Sequence, residues 1–400
     1  MQMNPGIYIQ VPFCQSKCTY CHFASGVFPR DLMAPYVEAL CAEIATHRQF
    51  LASAGLTLPG GSPDTIYLGG GTPSLLPEED LARILSTVRG AFPSTSSDNW
   101  HEVTVEADPE TVTLEKARAW RSAGVNRISL GAQSFSDAEL RAAGRRHREA
   151  DTIRAVDAVR ACGFVCLNLD LILGLAGQTA ESWRASLEKA ISLRAEHLSL
   201  YMLDVDNESR LGRELLSGGT RYRAEQVPDE EEQANWFEEA CARLAAAGCE
   251  HYEISNWALT GHRAVHNSKY WRRAPYFGFG SGAHSFNGRE RWANAHDPAA
   301  YVEAIRAGRL PVEQRQLVSP QMALEEEVFL GLRLLDGINL ARLESEYGVN
   351  LRGRIPRLVE AGAVVLEGDI LRLEPARLAV SNEVMAELLF NGADTVVRMV

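Results

Sequence analysis

The chain has 400 residues, of which 46% are hydrophobic, and it carries a formal net charge of -12. This length allows one large domain and a smaller one, and the negative charge argues against binding of nucleic acid, which needs a basic face. The N-terminal residues lack a signal-peptide pattern, and no apolar run approaches the roughly 20 residues of a membrane span. We therefore expect a cytoplasmic protein with reduced thiols. Peripheral contact with a membrane stays open.

Six apolar runs with strand character recur along the first half of the chain and alternate with amphipathic helical patterns. The runs cover residues 6–11, 65–68, 102–106, 127–130, 166–173 and 197–203. Residues 78–91 and 151–161 place apolar side chains at the spacing of one helix face. Nearly continuous apolar strands separated by helices are typical of a parallel sheet covered by helices. The predicted fold class is therefore α/β, with a partial (β/α)6 barrel of the TIM type.

The last part of the chain has a different pattern. Residues 322–335, 339–347 and 351–360 favour helices, and residues 363–374 alternate around Gly368 and Asp369, a signal for a two-residue hairpin turn. Three helices and a hairpin resemble a winged-helix α+β domain. We predict a barrel domain in residues 1–290, a connection in residues 291–317, and a C-terminal domain in residues 318–400 that covers or flanks the barrel opening.

Three cysteines lie close together near the N-terminus, Cys14, Cys18 and Cys21, in the spacing C-x3-C-x2-C. Thiolates bind soft metals, but a zinc site usually needs four ligands, often in two pairs, and the chain offers no second pair. A redox C-x2-C at Cys18 and Cys21 would leave Cys14 unexplained. A [4Fe-4S] cluster normally takes four thiolates, so three would leave one iron open to a ligand that is not protein.

This spacing, with the aromatic Tyr20 before the last cysteine and a first strand ahead of it, resembles the radical S-adenosylmethionine (SAM) superfamily. In that superfamily three cysteines hold a [4Fe-4S] cluster, the fourth iron binds the amino and carboxylate groups of SAM, and reduction cleaves SAM to a 5'-deoxyadenosyl radical. The resemblance implies that Cys14, Cys18 and Cys21 hold such a cluster. Zinc or disulfide chemistry is the alternative.

A glycine turn and several polar residues follow the predicted strands, where a β/α barrel carries its active site. The segment "YLGGGTPS", residues 67–74, is neither a P-loop nor a dinucleotide motif, and it could be a tight turn alone. In the radical SAM superfamily this turn contacts the amino group of SAM. Each polar residue alone could equally be structural. The resemblance implies a SAM site lined by Tyr8, Gly70, Gly71, Thr72, Glu106, Gln133, Arg145 and Asp170.

From Tyr8 through the C-terminal domain, the chain is similar to one branch of this superfamily, the coproporphyrinogen III oxidase-like proteins HemN and HemW. HemN is the oxygen-independent coproporphyrinogen III dehydrogenase, which converts two propionates to vinyls with two SAM molecules, and HemW is a haem chaperone. The dehydrogenase pattern has a further cysteine where this chain has Phe23, and a longer segment ahead of its cluster than the 13 residues before Cys14. Both features favour the chaperone branch.

The segment "HNSKYW", residues 266–271, resembles the H-N-x-x-Y-W motif of HemW proteins, which is implicated in haem binding. Imidazole is a common ligand of haem iron, and aromatic rings can pack on a porphyrin face. The resemblance therefore implies that His266, Tyr270 and Trp271 contact haem. A purely structural role for His266 is the alternative, and His284 on the following glycine-rich turn is a further candidate.

The resemblance thus implies a haem chaperone that passes haem to an acceptor protein. The dehydrogenase is the alternative, and an electron carrier or redox sensor is a third reading. Whether SAM is cleaved stays open, and no catalytic residue is assigned. Relatives often read Y-x-L-x-x-E-P-G-T after the sixth strand, whereas this chain has "YMLDVDNES", residues 201–209, with Asp206 in place of the glutamate. We therefore do not assign to this chain the SAM or substrate contacts that this loop makes in the relatives.

Overall fold

The computed structural model describes residues 3–58, 60–92, 100–205, 207–353 and 355–389, and Asp206 lies outside them. In chain order the strands are β1 (Gly6–Val11), β2 (Thr65–Gly70), β3 (Glu102–Ala107), β4 (Arg127–Gln133), β5 (Cys166–Leu173), β6 (His197–Met202), β7 (Glu250–Glu253), β8 (Asn256–Ala258), β9 (Tyr276–Phe279), β10 (His284–Phe286), β11 (Glu290–Asn294), β12 (Val312–Leu317), β13 (Ile338–Asn339), β14 (Val364–Glu367) and β15 (Ile370–Leu373).

The helices are α1 (Met33–Ser53), α2 (Glu78–Ala91), α3 (Leu114–Ser122), α4 (Asp137–Ala142), α5 (Glu149–Ala161), α6 (Ala180–Ser192), α7 (Arg210–Leu216), α8 (Glu230–Ala246), α9 (Val265–Trp271), α10 (Pro298–Arg306), α11 (Pro320–Gly331), α12 (Leu340–Tyr347), α13 (Ile355–Glu360) and α14 (Ser381–Leu389). Among the helices in the described ranges, none is long and apolar enough to cross a membrane.

Within the described residues, the large sheet has twelve strands in the order β12-β11-β10-β9-β1-β2-β3-β4-β5-β6-β8-β7. Strands β1 to β6 pair in parallel with one another in chain order, and β9 pairs in parallel with the other side of β1. Each of the six strands predicted from the sequence begins at the residue where the observed strand begins. The predicted α/β class with a parallel sheet is confirmed.

The parallel strands alternate between an apolar and a polar face, which corrects the reading of nearly continuous apolar runs. In β5, Leu167, Leu169 and Leu171 belong to the hydrophobic core and are at most 1% exposed. Asn168 and Asp170 between them point to the opposite face, where their side chains are joined by a hydrogen bond of 2.7 Å. The inner face of the sheet is therefore polar, because every second residue of a strand points inward.

Helix α2 shows how the helices cover the outer face of the sheet, and its predicted bounds of 78 and 91 are those observed. Pro77 precedes a first turn with three acidic side chains, which favour the positive end of the helix dipole. The helix buries one apolar stripe in the core, formed by Leu81, Ile84, Leu85 and Val88. Burial of this stripe holds α2 against the sheet and beside α1.

Helices α11 to α14 and the three-stranded sheet β13-β15-β14 form the C-terminal module. Glu326 of α11 accepts hydrogen bonds from Arg273 and Arg291 at 2.7 and 3.0 Å. Arg273 lies just before β9, whose first residue, Tyr276, pairs with Gly6 at the start of β1. These contacts place the module at the amino ends of the parallel strands, here called the barrel floor. The expectation that it covers or flanks the opening at the carboxyl ends is wrong.

Strand β12 forms one edge of the large sheet and pairs with β11. Most of its side chains are exposed, including those of Glu313 and Arg315, and Leu317 at its end is 75% exposed. Arg315 forms an ion pair with Glu290 on the neighbouring strand. The edge strand therefore presents charged side chains to solvent.

Candidate cofactor-binding site

A cavity of about 410 Å³ opens at the carboxyl ends of the parallel strands. It is bounded by the loop after β1, the glycine turn after β2 and the ends of β3 to β6. Most residues that the sequence predicted for the cluster and SAM line this one cavity, namely Cys14, Cys18, Cys21, Gly70, Gly71, Thr72, Glu106, Gln133, Arg145 and Asp170. The fold thus brings together side chains that are far apart in the chain.

The loop after β1 holds the three predicted cysteine ligands at the cavity. The Gly26 N–H donates to the Pro12 carbonyl and the Cys14 N–H donates to the Gly26 carbonyl, each at 2.9 Å, which closes the base of the loop. The Cys21 N–H donates to the Cys18 carbonyl at 3.4 Å. All three thiols are free and partly exposed, and burial raises the pKa of Cys14. The loop geometry therefore keeps the thiols on the cavity side.

This set of donors fits a [4Fe-4S] cluster with one open iron. Three soft thiolates come from a single loop, and the cavity that they line continues to the polar strand ends, so a second ligand could occupy the remaining space. In the part of the chain that the structure describes, no three histidine, cysteine or carboxylate side chains lie close enough to hold a single metal ion. Cluster binding would require deprotonated thiols and would couple to the order of the loop.

Arg145 connects the cysteine loop with the carboxyl ends of the strands. Its guanidinium donates to Cys18 Sγ at 3.4 Å, to Asp108 Oδ2 at 2.6 Å and to the Gly131 carbonyl at 3.1 Å. Burial alone would raise the pKa of Asp108, but Arg145 and His147 outweigh it and hold that pKa below its ordinary value. The pKa of Arg145 is raised by Asp108 in spite of its burial. A fixed positive charge therefore lies beside Cys18.

Glu106, near the end of β3, is a partly buried carboxylate at the cavity. Its Oε1 accepts a hydrogen bond from the Tyr67 hydroxyl at 2.8 Å, and its Oε2 accepts one from the Gly70 N–H at 3.1 Å. Burial raises the pKa of Glu106 to about 7, with the charge of Asp170 adding to the shift and the two hydrogen bonds opposing it. A carboxylate that titrates near neutrality inside a cavity is a candidate for cation binding.

Asp170, on the inner face of β5, is a further carboxylate that lines the cavity. Its side chain accepts hydrogen bonds from the Ser129 hydroxyl at 3.0 Å and from the Asn168 amide at 2.7 Å. Burial raises the pKa of Asp170, and these hydrogen bonds oppose the shift. Together with Glu106 it gives the inner end of the cavity a negative character when ionised.

The glycine turn after β2 leaves no room for side chains. Gly70 has a φ of 101°, and a Cβ there would lie 2.2 Å from the Gln10 side-chain oxygen. A Cβ on Gly71 would lie 2.7 Å from the Val11 carbonyl oxygen. The Thr72 N–H donates to the backbone of the cysteine loop at 2.8 Å. The turn therefore needs glycine to bring its backbone against both the cavity and the loop.

Gln133 ends β4 with a φ of 62°, a left-handed conformation that residues other than glycine rarely adopt. Its side chain lines the cavity, and a Cβ on Gly131 would lie 2.7 Å from its Nε2 atom. Backbone strain of this kind concentrates at functional sites because it fixes the direction of a side chain. Here it aims Gln133 at the cavity.

Tyr8, the remaining predicted SAM residue, is not among the residues that line the cavity. Its ring stacks on Tyr67 with 6.2 Å between centroids, and its hydroxyl donates to Gln10 Oε1 at 2.7 Å. Tyr67, which the sequence reasoning did not single out, does line the cavity. The two-residue period of β2 was the available signal, because Thr65, Tyr67 and Gly69 must share one face.

The segment "HNSKYW" lies in α9, at the barrel floor rather than at the cavity. His266 is 1% exposed, with Nδ1 2.9 Å from the Thr65 hydroxyl and Nε2 2.9 Å from the Tyr270 hydroxyl. Thr65 is the first residue of β2, so the ring lies at the amino ends of the strands. Burial, together with the charge of Lys269, lowers the pKa of His266 to about 3, and the ring is neutral.

Tyr270 and Trp271 pack against different neighbours of α9. The ring of Tyr270 meets that of Tyr276 edge-on, with 4.9 Å between centroids. The Arg333 guanidinium of the C-terminal module lies 4.4 Å from the centre of the Trp271 ring. Helix α9 is therefore enclosed between the barrel floor and that module. His284 is exposed on β10 and is not among the residues that line the cavity.

Comparison with known proteins gives consistent matches over most of the chain. The profile of the radical SAM superfamily matches residues 8–190, and that of the HemN C-terminal domain matches residues 318–376. The heme chaperone HemW of Bacillus subtilis (strain 168) is 33% identical over 96% of this chain and 98% of its own. The heme chaperone HemW of Escherichia coli (strain K12) is 36% identical over 70% of this chain and 69% of its own.

Among solved structures, coproporphyrinogen III oxidase (HemN) from Escherichia coli covers 97% of this chain and 90% of its own, with a TM-score of 0.80 and 20% identity. At this identity the likeness concerns the fold, and it confirms the predicted HemN-like architecture. The radical SAM profile implies a [4Fe-4S] cluster and SAM as cofactors. With relatives above 30% identity over nearly its full length, the chain belongs to the HemW family of the radical SAM superfamily.

Proposed function

We propose that the chain is a haem chaperone of the HemW type, which binds a [4Fe-4S] cluster, SAM and haem and delivers haem to an acceptor protein. One observation supports the cofactor part of the proposal: three thiols, a glycine turn and the partly buried carboxylates of Glu106 and Asp170 line a single cavity. The names of the relatives and the "HNSKYW" segment support the haem part.

In this proposal Cys14, Cys18 and Cys21 hold the cluster. The bound cluster would supply an electron to SAM and an open iron to ligate it. The chain itself contributes the positive charge of Arg145, whose guanidinium lies 3.4 Å from Cys18 Sγ and would complement the negative charge of the bound cluster. It also contributes the closed loop base at Gly26, which limits the movement of the thiols.

The SAM site would lie beside the cluster in the same cavity. SAM carries positive charge on its sulfonium group, and the ionised carboxylates of Glu106 and Asp170 complement this charge. Gly70 and Gly71 let the ligand approach the backbone, and Thr72, Gln133 and Arg145 supply polar groups around it. Tyr8 would act from below the cavity, through its contact with the Tyr67 ring.

The haem contacts would come from His266, Tyr270 and Trp271. Both ring nitrogens of His266 already have hydrogen-bond partners, so iron would have to replace Thr65 or Tyr270. The imidazole is neutral, and no proton has to leave before it binds a metal. Haem binding at this position therefore requires α9 to separate from part of its surroundings.

The first experiment is an anaerobic haem titration of the cluster-loaded full chain, followed by absorbance. We expect saturable binding that His266→Ala weakens and that His296→Ala, a change to an exposed histidine outside α9, leaves unaltered. Unchanged affinity of the His266→Ala variant would remove this residue as a ligand. Absence of specific haem binding to the native chain would contradict the chaperone, and coproporphyrinogen III with SAM and a reductant would then be tested as substrate.

The cluster assignment is tested separately with cysteine variants. Cys18→Ser should abolish the broad visible absorbance of the reconstituted protein, because a ligand of the cluster is lost. Cys241→Ser, on α8 away from the cavity, should retain it. A full complement of four irons in the Cys18→Ser variant would refute the assignment.

A further inference from the structure

Tyr67 contacts both Glu106 at the cavity and His266 at the barrel floor. Its hydroxyl donates to Glu106 Oε1 at 2.8 Å. Its ring stacks on the imidazole of His266, with 5.3 Å between centroids and 26° between planes. The two predicted ligand sites therefore share a single intermediate side chain.

The carboxylate of Glu106 is held on one side by two donors from the same segment. Tyr67 binds one oxygen, and the Gly70 N–H binds the other at 3.1 Å. A Cβ on Gly69 would come within 3.0 Å of this carboxylate, so the group fits closely against β2. If the Tyr67 hydroxyl were lost or shifted, only the Gly70 N–H would still orient the carboxylate.

The imidazole of His266 is in turn fixed from several directions. Thr65 and Tyr270 bind its two nitrogens. A Cβ on Gly6 would lie 2.9 Å from its Cε1 atom, so the ring occupies space that a glycine leaves free on β1. A ring held in this way forms a fixed support for the face of Tyr67.

We propose that Tyr67 is a positioning residue that couples the two ends of the barrel: it orients Glu106 for the ligand of the cavity, and its own position depends on the ring of His266. This inference rests on the proposed function, because it takes SAM as the ligand of the cavity and haem as the ligand of His266. An imidazole that turns toward iron leaves the stack, and Tyr67 then loses its support. SAM and haem should therefore weaken each other's binding, by the same factor in both directions.

The first test measures the SAM dissociation constant of the cluster-loaded full chain without haem. Tyr67→Phe keeps the ring and removes the hydroxyl, and we expect about tenfold weaker SAM binding, the usual effect of one lost hydrogen bond to a charged group. The matched control is Tyr301→Phe, which removes a hydroxyl that donates to another buried carboxylate, Glu43, at 2.6 Å. SAM affinity of the Tyr67→Phe variant equal to that of the native chain would overturn the positioning role.

The second test asks whether the ring of His266 supports Tyr67. His266→Ala removes the stacked ring, and we expect SAM binding to weaken several-fold although this residue lies at the barrel floor. His266→Phe restores a ring at the same place without a metal ligand, and it should recover SAM affinity but not haem affinity. Native-like SAM affinity of the His266→Ala variant would refute the dependence on the ring. So would a His266→Phe variant that has the thermal stability of the native chain but does not recover its SAM affinity.

The third test separates this inference from the proposed function. Haem is titrated into the cluster-loaded native chain with and without saturating SAM, and we expect several-fold weaker haem binding in the presence of SAM. If both ligands bind and neither changes the affinity of the other, the coupling is wrong and the chaperone assignment stands. If haem does not bind at all, both the proposed function and the coupling to haem are refuted. The Tyr67→Phe result then still decides whether Tyr67 positions Glu106.

Discussion

Replacement of Glu106 by glutamine should remove the part of the pH dependence of SAM binding near neutrality that this carboxyl causes. Burial and the charge of Asp170 raise the pKa of Glu106 to about 7, against the hydrogen bonds from Tyr67 and Gly70. About nine tenths of this carboxyl is then ionised at about pH 8, and about one tenth at about pH 6. Because a cationic ligand prefers the ionised form, SAM affinity of the native chain should fall roughly tenfold between these two conditions.

The assay is anaerobic equilibrium dialysis of labelled SAM against the cluster-loaded chain at several pH values. Among the groups facing Glu106, Tyr8, Tyr67 and Tyr201 stay neutral in this range, because burial raises their pKa values further above neutrality. Asp170, whose pKa is also raised by burial, is present in the native chain and in every variant compared. The amino group of SAM also titrates, but it does so equally for every variant, so the difference between variants isolates Glu106.

Glu43→Gln is the matched control for this prediction. Glu43 is also a buried carboxyl whose pKa burial raises to about 7, but it does not line the cavity. The control should keep the roughly tenfold dependence of the native chain, and Glu106→Gln should show a much smaller one. An equal pH dependence in the Glu106→Gln variant and the native chain would refute the reasoning.

Three further predictions concern stability and the cavity. The pKa of Glu43 is raised from 4.5 to about 7 by burial, so its contribution to the free energy of unfolding is complete below about pH 4.5 and is lost by about pH 7. This loss amounts to roughly 3 kcal/mol, and urea denaturation of the Glu43→Gln variant should not show it. Gly71→Ala should impair cluster retention, measured by visible absorbance, because the added Cβ would lie 2.7 Å from a backbone oxygen. Gly90→Ala is the control and should not impair it, because there is open space around Gly90. Arg145→Met should lower the free energy of unfolding by about 3 kcal/mol, because it removes the guanidinium partner of the largely buried Asp108 and leaves only His147 beside it, and an unchanged melting temperature would contradict this.

The strands and helices of the barrel were largely predictable because hydrophobic periodicity is a local property. The stripe of α2 and the starts of the six strands are visible in short stretches of sequence. In β5 the same reading failed in detail, because residues 166–173 were read as one nearly continuous apolar run although they include Asn168 and Asp170. They are the inward-facing half of an alternating strand, and the interior of this barrel is polar.

The cavity was predictable for a different reason: parallel strands carry their carboxyl ends to one edge. Residues that follow separate strands, such as Glu106 and Asp170, therefore had to meet. The place of α9 and of the C-terminal module was not predictable in this way. It depends on tertiary contacts such as those of Glu326 with Arg273 and Arg291, which no local pattern reveals. The hydrogen-bonded state of His266 follows from the same packing.

The charged edge strand β12 has a consequence for handling the protein. Its outer main-chain groups form an exposed edge at which another extended chain could add itself, and such edges are starting points for aggregation. The charges of Glu313 and Arg315 oppose this because a chain that paired with β12 would have to dehydrate them. Salts that are excluded from protein surfaces, such as sulfate, strengthen the burial of apolar groups. Concentrated sulfate buffers should therefore favour self-association through this edge, with Leu317 as its most exposed apolar side chain.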